Sequence, residues 1–349
     1  MVSNDPAQIL ALLRSGCNVE IGGPAASQKP LGATPVSPAR VILGFAAIYL
    51  IWGSTYLGIR YAVATIPPLL MMGVRHTLAG VLVYAWMRTR GVPAPQLKQW
   101  GYALVAGAML FLGGHGILAW AEQKIPSGLA ALLCATLPLW TVLIARVDGT
   151  ERKLGLKAWS GVFLGFAGVA LLVGPDFLRQ RLDLLAVAGS TASALLWAIG
   201  TSYARKAKFP SSSVVSAAMQ MMSGGVLLLL TALLTGEASH LHVASITPRS
   251  VFALAYLIVF GSIVAFSVYV WLLTVSSPSR LSTYAYVNPM VAVFLGWALA
   301  GEPLGIRTIV ATGVILLGVA LVSTRPKQTS TDTESRNVDL GRAQEMAAD

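Results

Sequence analysis

The stretch 41-VILGFAAIYLIWGSTYLGIRYAV-63 is apolar along almost its whole length and carries Arg60 as its one charge. A helix needs about 20 such residues to cross the hydrocarbon layer of a bilayer, so this segment reads as a membrane span. Working outward, the same window finds nine more, at about 68–88, 99–121, 126–147, 157–174, 184–204, 212–235, 250–274, 278–299 and 306–324. The gaps are short, which makes sequence neighbours antiparallel hairpins and leaves no room for a soluble domain. The fold expected is an all-α polytopic membrane protein of ten transmembrane helices. A β-barrel would alternate in polarity over about ten residues at a time, and these runs do not.

Composition points the same way. Of 349 residues 55% are apolar and 11% charged, against about 45–50% and about 25% in soluble domains. The net charge of +11 does not imply a nucleic-acid partner, because a binder gathers Lys and Arg on one face and here they fall in the gaps. Eleven lie by the even gaps: Arg88, Arg90, Lys98, Arg146, Arg152, Lys153, Lys157, Arg205, Lys206, Lys208 and Arg280. Five lie by the odd ones: Lys124, Arg179, Arg181, Arg249 and Arg307. The even gaps and both termini are therefore expected in the cytoplasm. Residues 1–38 lack a basic stretch leading into an apolar one and read as a disordered tail rather than a signal peptide; 325–349 read as a second polar tail. Cys17 and Cys134 show no disulfide or metal spacing, and neither a metal nor a cofactor is expected.

The two halves repeat. Trp120 and Trp271, Pro138 and Pro289, and Glu151 and Glu302 are each 151 residues apart, and Gly168-Val-Ala-Leu-Leu172 returns as Gly318-Val-Ala-Leu-Val322 at an offset of 150. Trp52 has a looser counterpart in Trp197. These matches divide the core into repeats at 39–175 and 176–324, five spans each. Five is odd, so the second copy enters the membrane from the opposite side, and two inverted halves result. Halves of that kind can exchange shapes, which is alternating access.

The run Ile51-Trp-Gly-Ser-Thr-Tyr56 with Arg60, the stretch Ala121-Glu-Gln-Lys-Ile-Pro-Ser-Gly-Leu-Ala-Ala131 leading to Pro138, and Tyr286-Val-Asn-Pro289 before Gly301-Glu302 resemble the EamA-type branch of the drug/metabolite transporter superfamily over about 39–324. The resemblance implies a ten-helix carrier in the cytoplasmic membrane whose central cavity is lined mainly by spans three, four, eight and nine, with help from one and six. It names no substrate, because such carriers handle amino acids, metabolites and drugs.

Pro138 and Pro289 sit near the middles of spans four and nine, where each removes a backbone donor and frees the carbonyl four residues earlier. Interrupted helices at matching places in inverted halves mark a midplane site. A plain packing kink is the alternative. Tyr284 and Asn288 share a helical face next to Pro289, and His115 lies in Gly113-Gly-His-Gly116; these are binding candidates, or else interhelical hydrogen bonds. Trp52, Tyr56, Trp140 and Trp197 lie mid-span, away from the interfacial aromatic belts, and read as a pocket wall or as core. Glu122 with Arg60 or Arg75 is expected to close an outer gate, interfacial anchoring being the plainer reading.

Without a mid-span carboxylate, the solute expected is neutral or zwitterionic and amino-acid-like or drug-like, moving outward; His115 is the candidate for any proton coupling. Gly161 and Gly165 in span five make a small-residue face, whose partner the resemblance implies to be span ten, a homodimer being the alternative use. An intramembrane enzyme using His115 and Glu122 is the competing function; about 10 Å of helix between them argues against it.

Overall fold

The computed structural model describes residues 37–147, 155–178, 183–210, 212–276 and 284–323. The tails expected at 1–38 (apart from residues 37 and 38) and at 325–349 lie outside the described residues, as do Cys17, Glu151, Arg152, Lys153, Arg179, Arg181 and Arg280. Among those described there is no strand. The helices are α1 (Pro38–Ala62), α2 (Pro68–Thr89), α3 (Leu97–Ala121), α4 (Ser127–Val147), α5 (Leu156–Leu178), α6 (Leu184–Lys206), α7 (Ser213–Leu234), α8 (248–275), α9 (Tyr284–Ala300) and α10 (Ile306–Ser323). Seven are long and apolar enough to cross a membrane, and Leu156–Leu172, Val287–Ala300 and Ile306–Leu321 form three shorter apolar segments.

Local chemistry sets where these helices start. Asp183 Oδ1 accepts from Ala186 N at 2.9 Å, and Thr247 Oγ1 from Ser250 N at 3.3 Å, each filling an orphan donor of the first turn. Pro68 and Pro248 occupy first-turn positions, where a missing N–H costs nothing. The start of α2 is capped from a distance: Glu237 Oε1, in a short 3₁₀ turn after α7, accepts from Leu69 N at 2.7 Å and Leu70 N at 3.0 Å. Outward-facing side chains such as Leu43, Phe163, Leu185, Leu230 and Phe252 stay exposed. Acyl chains are the solvent that makes such a surface stable.

Packing joins the first five helices to the last five. The tightest pairs are α2 with α7 and α5 with α10; α1 lies on α8 and α9, and α6 lies on α3 and α4. Small residues permit the close approaches. A Cβ at Gly107 would stand 2.6 Å from Gly224 N, and one at Gly318 would stand 2.7 Å from Gly161 O, so α5 spends its small-residue face on α10 within the chain.

Two features depart from expectation. The helix is interrupted ahead of Pro138, with a turn at 135–136, whereas Pro289 sits inside a continuous α9. The break has a local cause: Thr136 Oγ1 donates to Leu133 O at 2.6 Å and Thr136 O receives Leu139 N at 2.9 Å, stabilising a turn. Val287, at the matching place before Pro289, has no hydroxyl to do this. The second departure is a widening of α3 over Ala108–Gly116 and of α8 over Leu257–Val264 into π-helix. That form is rare and is used mostly where a helix carries function.

Candidate solute site and bundle closure

Each widened segment receives a tryptophan from the other half. Trp52 of α1 donates Nε1–H to Gly261 O of α8 at 3.2 Å and packs its ring on Tyr269 and on Tyr284 of α9, both at 5.2 Å. Arg75 of α2 joins the same segment through Nε to Ser262 Oγ at 3.1 Å. On the other side, Trp197 of α6 lies 4.6 Å from the His115 ring and 6.0 Å from Phe111, both on the widened part of α3. His115 Nδ1 and His76 Nε2 are 2.8 Å apart, with the rings stacked.

Tyr56 is half-buried and within electrostatic reach of Cys134, Glu122 and Tyr284. Asn288 is buried, with no hydrogen-bond partner for its Oδ1 among the described residues. Of the aromatic candidates, Trp140 joins neither cluster: its ring meets Phe166 of α5 at 5.0 Å. An apolar groove of about 610 Å³ opens beside Pro289, lined by Leu50, Ser54, Tyr256, Val287, Met290 and Val291 among others, and the Ser54 and Tyr256 hydroxyls meet across it at 2.6 Å.

The charged candidates gather at the end of the bundle that carries the α3–α4 turn, in an arrangement the sequence did not indicate. Arg60 pairs with Glu302 at 2.8 Å rather than with Glu122. Glu302 also accepts from Ser127 N at 2.8 Å, Ser127 Oγ at 2.7 Å and Gly128 N at 2.9 Å. A carboxylate suits this place because the first turn of α4 offers free N–H groups and the positive end of the helix dipole. One side chain thereby ties α1, α4 and the turn between α9 and α10. Glu122 is 3% exposed and neither of its oxygens has a hydrogen-bond partner among the described residues. A cleft of about 420 Å³ lined by Arg60, Glu122, Lys124 and Pro126 lies above it. His115 and Glu122 form no hydrogen bond with each other, and no acid–base couple is built from them.

A shallower tie stands nearby. Lys124 Nζ lies 3.0 Å from Asp183 Oδ2, joining the α3–α4 turn to the start of α6, with both side chains about a third exposed. The Ala186 backbone N–H, and then Lys124, hold the Asp183 carboxyl below its ordinary value.

Sequence reasoning missed Glu302 and Glu237. The first had a signal, since Glu302 recurs as Glu151; the second had none.

Comparison with known proteins places this architecture. The model of the EamA-like transporter family matches twice, over residues 39–174 and 184–324. The "Uncharacterized inner membrane transporter YedA" of Escherichia coli (strain K12) is 38% identical over 282 residues, covering 79% of this chain and 88% of that protein. The "Uncharacterized transporter YoaV" of Bacillus subtilis (strain 168) is 25% identical, covering 80% of this chain and 95% of its own length. The "WAT1-related protein At3g02690, chloroplastic" of Arabidopsis thaliana is 25% identical over 79% of this chain and 67% of its own. A solved crystal structure shares the fold at a TM-score of 0.58 and 21% identity, covering 84% of this chain and 100% of that one.

Proposed function

This chain belongs to the EamA-like transporter family, and from that membership we propose that it exports a small neutral or zwitterionic metabolite, amino-acid-like or drug-like, by alternating access between two inverted five-helix halves. The repeats are 39–175 and 176–324, and both termini face the cytoplasm. The observation that carries the reading is the crossed packing: α1 sits on α8 and α9 while α6 sits on α3 and α4, so each half grips the widened helix of the other. Rocking one half against the other moves both tryptophans relative to both widened segments at once, and the two ends of the bundle open in alternation.

Solute recognition rests on Trp52, Tyr56, Tyr284 and Asn288 on one side and on His115 and Trp197 on the other. Rings supply apolar surface, while the phenols, the amide and the imidazole supply hydrogen bonds without a fixed net charge. The Lys and Arg distribution puts the α3–α4 turn outside, which makes the Arg60–Glu302–Ser127 tie the outer closure, with Arg75 and Glu122 beneath it.

Counterflow in liposomes holding the purified protein tests this reading. Preloading with unlabelled solute should drive transient, saturable uptake of at least one labelled member of a panel of amino acids and neutral drugs, recovered chemically unchanged. Absence of protein-dependent flux across the panel, or a modified product, contradicts it.

A further inference from the structure

Two carboxylates and one arginine meet at the closed end, and the arginine serves only one of them. Glu302 holds Arg60 and three donors at the start of α4. Glu122 is nine-tenths buried with both oxygens unpartnered among the described residues, within electrostatic reach of Glu302, Arg60 and Arg75. The other titratable groups facing it are Tyr56 of α1 and Cys134 of α4. Each nearby cation is engaged elsewhere. Arg75 Nε is on Ser262 Oγ and its Nη1 faces Met72 Sδ, while Lys124 is paired with Asp183. An ionised carboxylate is costly in such a place without a donor, and a proton removes that cost.

We propose that Glu122 and Glu302 share Arg60 as a proton-linked switch. With Arg60 on Glu302 this end is closed and Glu122 is the neutral acid. When the end opens, Glu302 swings into water as a carboxylate, Arg60 turns to Glu122, the Glu122 O–H bond breaks and its proton passes to water. Charge balances: one acid becomes one carboxylate and one proton, and the arginine keeps a partner throughout. The switch gives the outer closure a proton requirement, placed on Glu122 rather than on His115, and it rests on the carrier reading above.

Electron-spin distance measurements between labels at Gln123 and Gly305, both exposed, test it on the full chain with Cys17→Ser and Cys134→Ser. From about pH 5 to about pH 8 the population with the longer distance should grow, by at most about tenfold per pH unit for a single coupled proton. Glu122→Gln, a permanent neutral stand-in, should hold the short distance at every pH. Glu122→Asp should keep the pH response. Persistence of the response in Glu122→Gln, its loss in a folded Glu122→Asp, or a longer distance that answers to solute but not to pH overturns the switch. That last result leaves the carrier reading standing, whereas failure of counterflow across the panel removes the carrier reading itself.

Discussion

The two places where a tryptophan of one half meets the widened helix of the other are alike in plan and unlike in chemistry. At the α1–α8 junction Trp52 is hydrogen-bonded to Gly261 O and surrounded by phenols, and the junction is tied at its end by the half-exposed Arg60 on the buried Glu302. At the α6–α3 junction Trp197 has ring contacts with His115 and Phe111, and the tie is the exposed Lys124–Asp183 pair. On the carrier reading proposed above, the duplicated plan would serve the motion and the unequal chemistry its direction. On the same reading, a solute held between them would meet phenols on one side and an imidazole on the other and be bound in one orientation.

The comparison breaks most visibly at the ties. Glu302→Ala strands Arg60, Ser127 N and Gly128 N together, and leaving buried donors unsatisfied costs about 1–3 kcal/mol, read as a lowered unfolding midpoint in detergent. Next come the widened segments. Deleting one residue from Ala108–Gly116, or one from Leu257–Val264, should return the segment to ordinary helix and turn everything beyond it. Each deletion should lower flux by about 100-fold, the cost of small misplacements at a working site. If only one did so, the two junctions would not share a mechanical role. A smaller inequality follows at the tryptophans. Trp52→Phe gives up a hydrogen bond and should cost about 1 kcal/mol more than Trp197→Phe in the same melting assay.

The smallest effect belongs to Asp183→Asn, and it has a sign. Asp183 is held below its ordinary value by the Ala186 N–H and Lys124. The stability it adds is present above the carboxyl's unfolded value and is lost as pH falls through the folded one. The variant should therefore melt slightly below the parent near neutrality and converge with it in acid.

The ten rods were legible in the sequence because a bilayer imposes a length on every apolar run, and 41–63 already meets it. The doubling was legible from Trp120 and Trp271, Pro138 and Pro289. The widened turns were not, since in a segment apolar on every side a change from four- to five-residue hydrogen bonding leaves no mark on the periodicity. Pro289 was expected to interrupt its helix as Pro138 does, and the difference lay one hydroxyl away, at Thr136 against Val287. Glu302 was assigned to a gap. Gly301, at φ 65°, turns the chain so that Glu302 N–H returns to Gly296 O at 3.0 Å and its side chain enters the bundle. A gap residue that points inward is set by backbone geometry, which hydropathy does not report.

The central claim, that the end carrying the Arg60–Glu302 tie must open for each solute carried, is tested most directly by a reversible cross-link outside the tie itself. Tyr61 OH donates to Leu299 O at 2.9 Å, joining α1 to α9 at that end. In a chain with Cys17→Ser, Cys134→Ser, Tyr61→Cys and Leu299→Cys, a short cleavable thiol cross-linker should stop counterflow and its cleavage should restore it. Counterflow that continues unchanged with the cross-link in place contradicts the account.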